Sequence, residues 1–379
     1  MDNAQLSVAF SDIYQHQPSV VCHAPGRVNL IGEHTDYNQG FVFPAAINFG
    51  TWAAASVRED RNCCVVAMDY DNAESQFSLD NIESDPEQSW SNYVRGVLLV
   101  LQKEFSLPSG INLLVTGNVP QGAGLSSSAS FEIAILKAVT DLFSLDIDGV
   151  KAALLGQKAE NDFVGCSCGI MDQLISAMGK KDHAMLLDCQ SLTFDHSTLP
   201  DDLHIVIINS NVKRGLVDSE YNLRRQQCEQ GASLLGVPSL REATLESLEA
   251  AKSAMPEVVY RRARHIITEN ARTHTMFDAL KQNDIATVSE AMAASHASMR
   301  DDFEITVPPI DYLVELISGL LKDKGGVRMT GGGFGGCVVA LVPKNLIENV
   351  KALVAQHYFE ETGYQATIYD CTATQGAFA

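Results

Sequence analysis

Three groups of residues in this chain have types and spacings suited to chemistry. The first is the run Pro120-Gln121-Gly122-Ala123-Gly124-Leu125-Ser126-Ser127-Ser128-Ala129-Ser130. Glycine lets a large anion approach the backbone, and serine hydroxyls add donors or bind a metal. This reads as a phosphate cradle, with a serine-rich helix cap as the alternative. It lacks the Gly-Lys-Ser/Thr ending of a Walker A loop. Ser127 stands where a Rossmann fingerprint needs its third glycine. The second group crowds Glu33, His34 and Asp36 beside Tyr37, with Arg27 upstream. Closely spaced carboxylates on a loop suit a neutral polyol, whose hydroxyls they accept. Arg27 is planar and permanently charged, which suits a phosphoryl oxygen. A polar surface turn with a structural Arg–Asp pair is the competing reading. The third group is Asp172 and Glu160. Asp172 is either a general base for a hydroxyl proton or an acid placed for the helix dipole. Glu160 is either solvated or, near a bound triphosphate, a ligand for Mg²⁺.

The surrounding pattern positions these groups. Ile111 to Val119 alternates as a strand, and Ser130 to Leu142 has apolar residues at helical spacing. The cradle therefore lies where a helix offers unpaired N–H groups and the positive end of its dipole. Residues 4–16 read as a helix and 19–23 as a strand. Further strands are expected at 41–46, 51–57 and 63–68, then an acidic connection at 80–89. Trp90 opens a helix running to about Glu104, and its ring either faces an adenine or packs in the core. Helices follow at 150–163, with Glu160 near the far end, and from Met171 to Met178, with Asp172 in the first turn. Near residue 200 the pattern changes, predicting domains at 1–200 and 201–379. The second holds a strand at 203–208 and helices at 218–235, 257–272, 276–296 and 310–322. Gly325 to Cys337 is a strand entering a glycine-rich turn, and 338–342 leaves as a strand. So many glycines predict close backbone approach to another loop or a ligand.

With 379 residues, 46% hydrophobic and 20% charged, the chain can bury two full cores. A net charge of −20 argues against nucleic acid or an anionic membrane as partner. Nine cysteines without metal-ligand spacing read as free thiols in a reducing compartment. No basic-then-apolar leader and no membrane-length apolar run is visible, so the expected location is cytoplasmic.

Gly26 to Tyr37, Pro120 to Ser130 and Met329 to Cys337 stand in one chain, in that order. Together they resemble the three motifs of the GHMP kinase superfamily, and the first looks like the signature of its galactokinase family. The likeness extends through Gly169 to Gln173 and Ser295 to Asp302. It implies an α+β, two-lobed fold. The N-terminal α/β domain would be like domain 2 of ribosomal protein S5, and the C-terminal α+β domain ferredoxin-like, with the site between them. It implies ATP-dependent phosphorylation of D-galactose at its anomeric hydroxyl; separately, the chain is expected to be a monomer. The resemblance places the sugar on Glu33, His34, Thr35, Asp36 and Tyr221, with Gly169 and Asp172 near the reacting hydroxyl. It places ATP phosphates on Gly122, Ala123, Gly124, Leu125, Ser126, Ser127 and Ser128. Mg²⁺ falls to Ser128 and Glu160, and a charge-stabilising role to Arg27.

Phosphoryl transfer needs position and charge neutralisation more than covalent help. A helix N-terminus and a nearby Arg27 both favour ionised Asp172, which then orients the hydroxyl and accepts its proton late. Kinases for N-acetylgalactosamine, arabinose, mevalonate or homoserine are rivals within the superfamily, although the Glu33 to Asp36 cluster favours a polyol. A non-catalytic sugar and ATP sensor is disfavoured by intact Ser128, Glu160, Asp172 and Arg27. A Rossmann dehydrogenase is disfavoured by the missing glycine.

Overall fold

The structure, a computed structural model, describes residues 1–120, 123–166, 168–212 and 217–379. The chain opens with α1 (Asn3–Tyr14), whose first turn is capped by Asp2 accepting from the Gln5 N–H. Then come β1 (Val20–Asn29), β2 (Phe41–Val42), β3 (Pro44–Val57), β4 (Asn62–Ala67) and β5 (Ala73–Ser78). They are followed by α2 (Ser91–Phe105), β6 (Ile111–Gly117), α3 (Ser127–Phe143) and α4 (Gly149–Ala159). A π-turn at Glu160–Val164 leads to α5 (Met171–Met178), β7 (His183–Asp188) and β8 (Phe194–Thr198). The later half runs β9 (Leu203–Asn209), α6 (Val217–Leu235), α7 (Leu245–Ala251), α8 (Glu257–Lys281) and α9 (Ile285–Ser298). It ends with α10 (Pro308–Leu321), β10 (Gly326–Thr330), β11 (Cys337–Pro343), α11 (Ile347–Thr362) and β12 (Thr367–Cys371).

A five-stranded sheet has the order β1-β3-β6-β4-β5, a four-stranded sheet β10-β11-β9-β12, and a three-stranded sheet β2-β7-β8. Among the described residues only β4 and β6 pair in parallel within them. The first sheet buries one face under α2 to α5, around Leu98, Leu113 and Leu136. Its other face takes α1, through Leu6 and Phe10. The four-stranded sheet packs on α6, α8 and α10. A third core joins the two systems: Val28, Leu30 and Ile31 from β1 and its exit meet Ile205, Ile207 and Val339. The chain end also returns to the first half, where Gly376 N–H donates to the Gly179 carbonyl at 2.7 Å. Among the described residues, no helix is long and apolar enough to cross a membrane. None of the nine cysteines is in a disulfide.

Several elements differ from expectation. The strands at 41–46 and 51–57 are instead a short β2 and one long β3 that runs through Gly50. Glycine is needed there because a Cβ would lie 2.3 Å from the Ala24 carbonyl. The predicted break near 273 is absent. Thr273 Oγ1 returns to the Glu269 carbonyl at 2.8 Å and α8 continues to Lys281. The real break follows, where Asn283 is left-handed (φ 55°) and Asp284 caps Thr287. The cradle helix starts at Ser127 rather than Ser130, and Ser126 (φ 60°) makes no side-chain cap. Strands β5, β7, β8 and β12 and helices α7 and α11 were not expected. Edge strands such as β5, Ala-Glu-Ser-Gln-Phe-Ser, are too polar to read from pattern.

Leu98 is fully buried on α2. Leu98→Ala should lower stability by about 2–5 kcal/mol through the cavity it leaves. Urea unfolding will show this as a lower midpoint at unchanged slope.

Candidate active site

Strand β1 is irregular between Pro25 and Arg27. Gly26 presses so close to the cradle that a Cβ would lie 2.7 Å from the Leu125 carbonyl. The irregularity aims Arg27 into the loop. Its backbone N–H donates to the Leu125 carbonyl at 3.1 Å, and Nη1 donates to the Gly124 carbonyl at 2.6 Å. Nε and Nη2 each donate to one oxygen of Asp172 at 2.7 Å. The Ser126 hydroxyl donates to the same carboxylate. Ser126 therefore serves Asp172 rather than capping α3. Arg27 from β1 and Ser126 from the cradle loop thus converge on Asp172, which sits in the first turn of α5.

The loop after β1 carries the second group. Gly32 and His34 are both left-handed, at φ 92° and 62°. The Thr35 hydroxyl is buried and turned to the Gly32 and Phe41 carbonyls, at 2.9 and 2.6 Å. It shapes the loop. Asp36 abuts Gly169, where a Cβ would sit 1.9 Å from its Oδ2. Burial, helped by the nearby Asp172 charge, pushes the Asp36 carboxyl up to about 6. His34 is buried, its Nδ1 lies 2.8 Å from the Tyr37 hydroxyl, and burial lowers its pKa to about 3. Its ring is 5.1 Å from that of Tyr221 on α6. Burial, then the charges of Asp36 and Asp172, raises the Tyr221 phenol well above its ordinary value, so it stays a donor.

Glu33 is held by the third glycine-rich segment and by two residues of α8 that motif reading missed. Arg328 Nη2 donates to its Oε2 at 2.6 Å, and the Gly331 N–H to its Oε1 at 3.1 Å. This is the close approach expected of the third glycine-rich turn. Its backbone N–H donates to Glu269 Oε1 at 3.3 Å, and His265 Nε2 lies 3.1 Å from its carbonyl. Burial pushes the Glu33 carboxyl up, with Arg328 opposing. Nothing in sequence spacing marks Glu269 or His265. They sit at helical spacing on the inner face of α8, which looks like any helix with polar residues.

Beside the cradle lies a cavity of about 330 Å³, lined by Tyr70, Trp90, Tyr93, Ser127, Ser128 and Phe131, among others. Trp90 lies against Tyr70 with near-parallel rings 6.2 Å apart and also touches the core, so both readings of it have a basis. Glu160, at the π-turn, is buried. Burial raises its pKa, while hydrogen bonds from Cys168, Ser128 and Gln173 pull the other way. Gln173 Nε2 bridges Glu160 and the buried Glu132, at 2.6 and 3.0 Å. Among the described residues no group of three or more His, Cys, Asp or Glu could hold a metal. Of the expected cradle residues, Gly122 lies outside the described residues; Ala123 to Ser128 do not.

Residues 92–180 match the GHMP kinases N terminal domain, and 276–360 match GHMP kinases C terminal. Fold and site together define a GHMP kinase, an ATP-dependent phosphotransferase. Mevalonate kinase of Methanococcus jannaschii shares the fold at 16% identity, over 94% of this chain and 98% of that one (TM-score 0.65). D-glycero-D-manno-heptose 1-phosphate kinase of Bacteroides thetaiotaomicron does so at 14%, over 94% and 97% (TM-score 0.60). Residues 8–57 match the galactokinase galactose-binding signature. Galactokinase of Lactococcus lactis, solved in complex with galactose, is 35% identical over 98% of each chain (TM-score 0.93). The chain belongs to the galactokinase family.

The Asp36 carboxyl titrates near 6 in the fold against 3.8 when solvated. The folded state therefore binds the extra proton, and stability is lost as pH rises through that window. Asp36→Asn removes this penalty. Its melting temperature should exceed wild type at pH 8, with the gap closing below about pH 4.

Proposed function

We propose that this chain transfers the γ-phosphoryl group of ATP to the C1 hydroxyl of D-galactose, giving galactose 1-phosphate and ADP. The observation that carries the reading is the convergence of Arg27 and Ser126 on Asp172, between a glycine-serine loop and the Glu33 to Asp36 loop. The galactose bound in the Lactococcus relative supports the sugar.

The phosphates lie on the cradle, with the adenine in the cavity beside Trp90 and Tyr70. Asp36 and Tyr221 take sugar hydroxyls. Glu33 has lone pairs left after its protein partners, and takes another. Asp172 Oδ accepts the C1 hydroxyl proton as the oxygen–phosphorus bond forms and ADP departs with the electrons of the broken bond. Arg27 retains N–H donors after its three protein contacts, enough for a phosphoryl oxygen. Ser128 and Glu160 would hold Mg²⁺ through hard oxygen atoms, the ligand type that ion takes. Mg²⁺ neutralises phosphate charge when bound. The lobe boundary near residue 200 is part of this reading, supported by β9 at Leu203 joining the four-stranded sheet.

ADP release from Mg·ATP should be fastest with D-galactose in a panel with N-acetylgalactosamine, D-glucose and no sugar. Preference for another sugar would reopen the Glu33 to Asp36 pocket. Absence of turnover by protein that binds ATP would make it a sensor. Asp172→Asn should lower kcat by roughly 10²–10⁴-fold. A variant with near-wild-type kcat would remove Asp172 from proton transfer.

A further inference from the structure

We propose that Glu269 and His265 are positioning residues for the sugar: from α8 they fix the Gly32–Glu33 backbone and so aim the Glu33 carboxylate at galactose. The proposal rests on the galactose reading above and assigns a task to the Ser295 to Asp302 stretch, which that reading leaves without one.

The geometry is a clamp. Glu269 Oε1 accepts the Gly32 and Glu33 N–H groups at 3.0 and 3.3 Å. His265 Nε2 meets the Glu33 carbonyl at 3.1 Å. With Arg328 and Gly331 on the carboxylate, each polar atom of Glu33 has a partner from the later half of the chain. The clamp is itself held from α9. The Ser295 hydroxyl donates to Glu269 at 2.6 Å, and Ser298 Oγ lies 2.9 Å from His265 Nδ1. Arg272 Nε donates to Glu269 Oε2 at 2.7 Å. Glu269, His265 and Ser295 have no exposed surface.

A buried charge is a costly way to fill space, because apolar residues of similar volume serve stability as well or better. What the charge adds here is direction. Gly32 and His34 hold left-handed backbone, so the loop has no regular ladder to set its path. Two peptide N–H groups converging on one carboxylate oxygen set it instead. The cradle lies between β6 and α3, whereas the clamp grips the loop after β1 that carries Glu33 and Asp36, so the clamp acts on the sugar side of the site.

The test is Glu269→Gln and Ser295→Ala, with galactose Kd by calorimetry, KM for galactose and for ATP, kcat and melting temperature. Glu269→Gln should weaken galactose in Kd and KM by about tenfold or more, the worth of a lost charge-assisted hydrogen bond. KM for ATP should stay within about twofold. Ser295→Ala should move the same constants the same way by less. If Glu269→Gln does not fold, Ser295→Ala and Ser298→Ala carry the test, since each deletes one hydroxyl remote from the sugar. A lower melting temperature with unchanged galactose Kd makes the network purely structural and overturns the proposal. So does a parallel rise in both substrate constants. Wild-type protein that turns over another sugar overturns the substrate reading instead, and the same split is then measured with that sugar.

Discussion

A carboxylate and a guanidinium, both almost wholly removed from water, meet where the halves of this protein join. Glu33 is 5% and Arg328 0% exposed in their side chains, and they lie 2.6 Å apart. Such a pair forfeits hydration on both ions, and the Coulomb gain offsets that only when further hydrogen bonds complete the geometry. They do so here. Gly331 donates to the same carboxylate, and the Asn29 carbonyl accepts from Arg328 at 3.2 Å. Losing one partner of a buried pair costs about 3–5 kcal/mol. The exit of β1, the turn after β10 and the inner face of α8 all take their relative positions from this point. The shared apolar core of Val28, Leu30 and Ile31 with Ile205 and Ile207 lies beside it.

The chemistry asks little covalently and much of placement. An arginine reaching Asp172, the Gly124 carbonyl and the Leu125 carbonyl couples the reacting carboxylate to the loop proposed for the phosphates. Movement of β1 would displace both together. Some of the site's groups are held at a cost. Asp36 is kept near Asp172 in surroundings that raise its pKa to about 6. That is the usual conflict between a polar binding surface and stability.

Much of the site was legible because its chemistry is local. A glycine-serine run between a strand and a helix, and carboxylates crowded on one loop, declare themselves within a dozen residues or so. Helices such as those expected at 171–178 and 310–322 were legible for the same reason. The long β3 and the unbroken α8 were not. Gly50 and the Thr273-His274-Thr275 run look like breakers until their neighbours are present. In the fold, Gly50 lies against the Ala24 carbonyl, and Thr273 folds its hydroxyl back onto its own helix.

By itself, then, the sequence determined the class of chemistry and the order of its motifs, and these sufficed to indicate a galactose kinase. It also determined that Ser126, Glu33 and Asp36 are polar and closely grouped. Only the tertiary structure decided what those groups do. Ser126 turns to Asp172 instead of capping its helix, Thr35 bonds to its own loop, and Glu33 is gripped by Arg328, Glu269 and His265. Those partners lie more than two hundred positions away. Sequence periodicity reports which face of an element is apolar, not which distant polar atom will be buried against it. That choice is made when the halves close and each buried donor must find an acceptor.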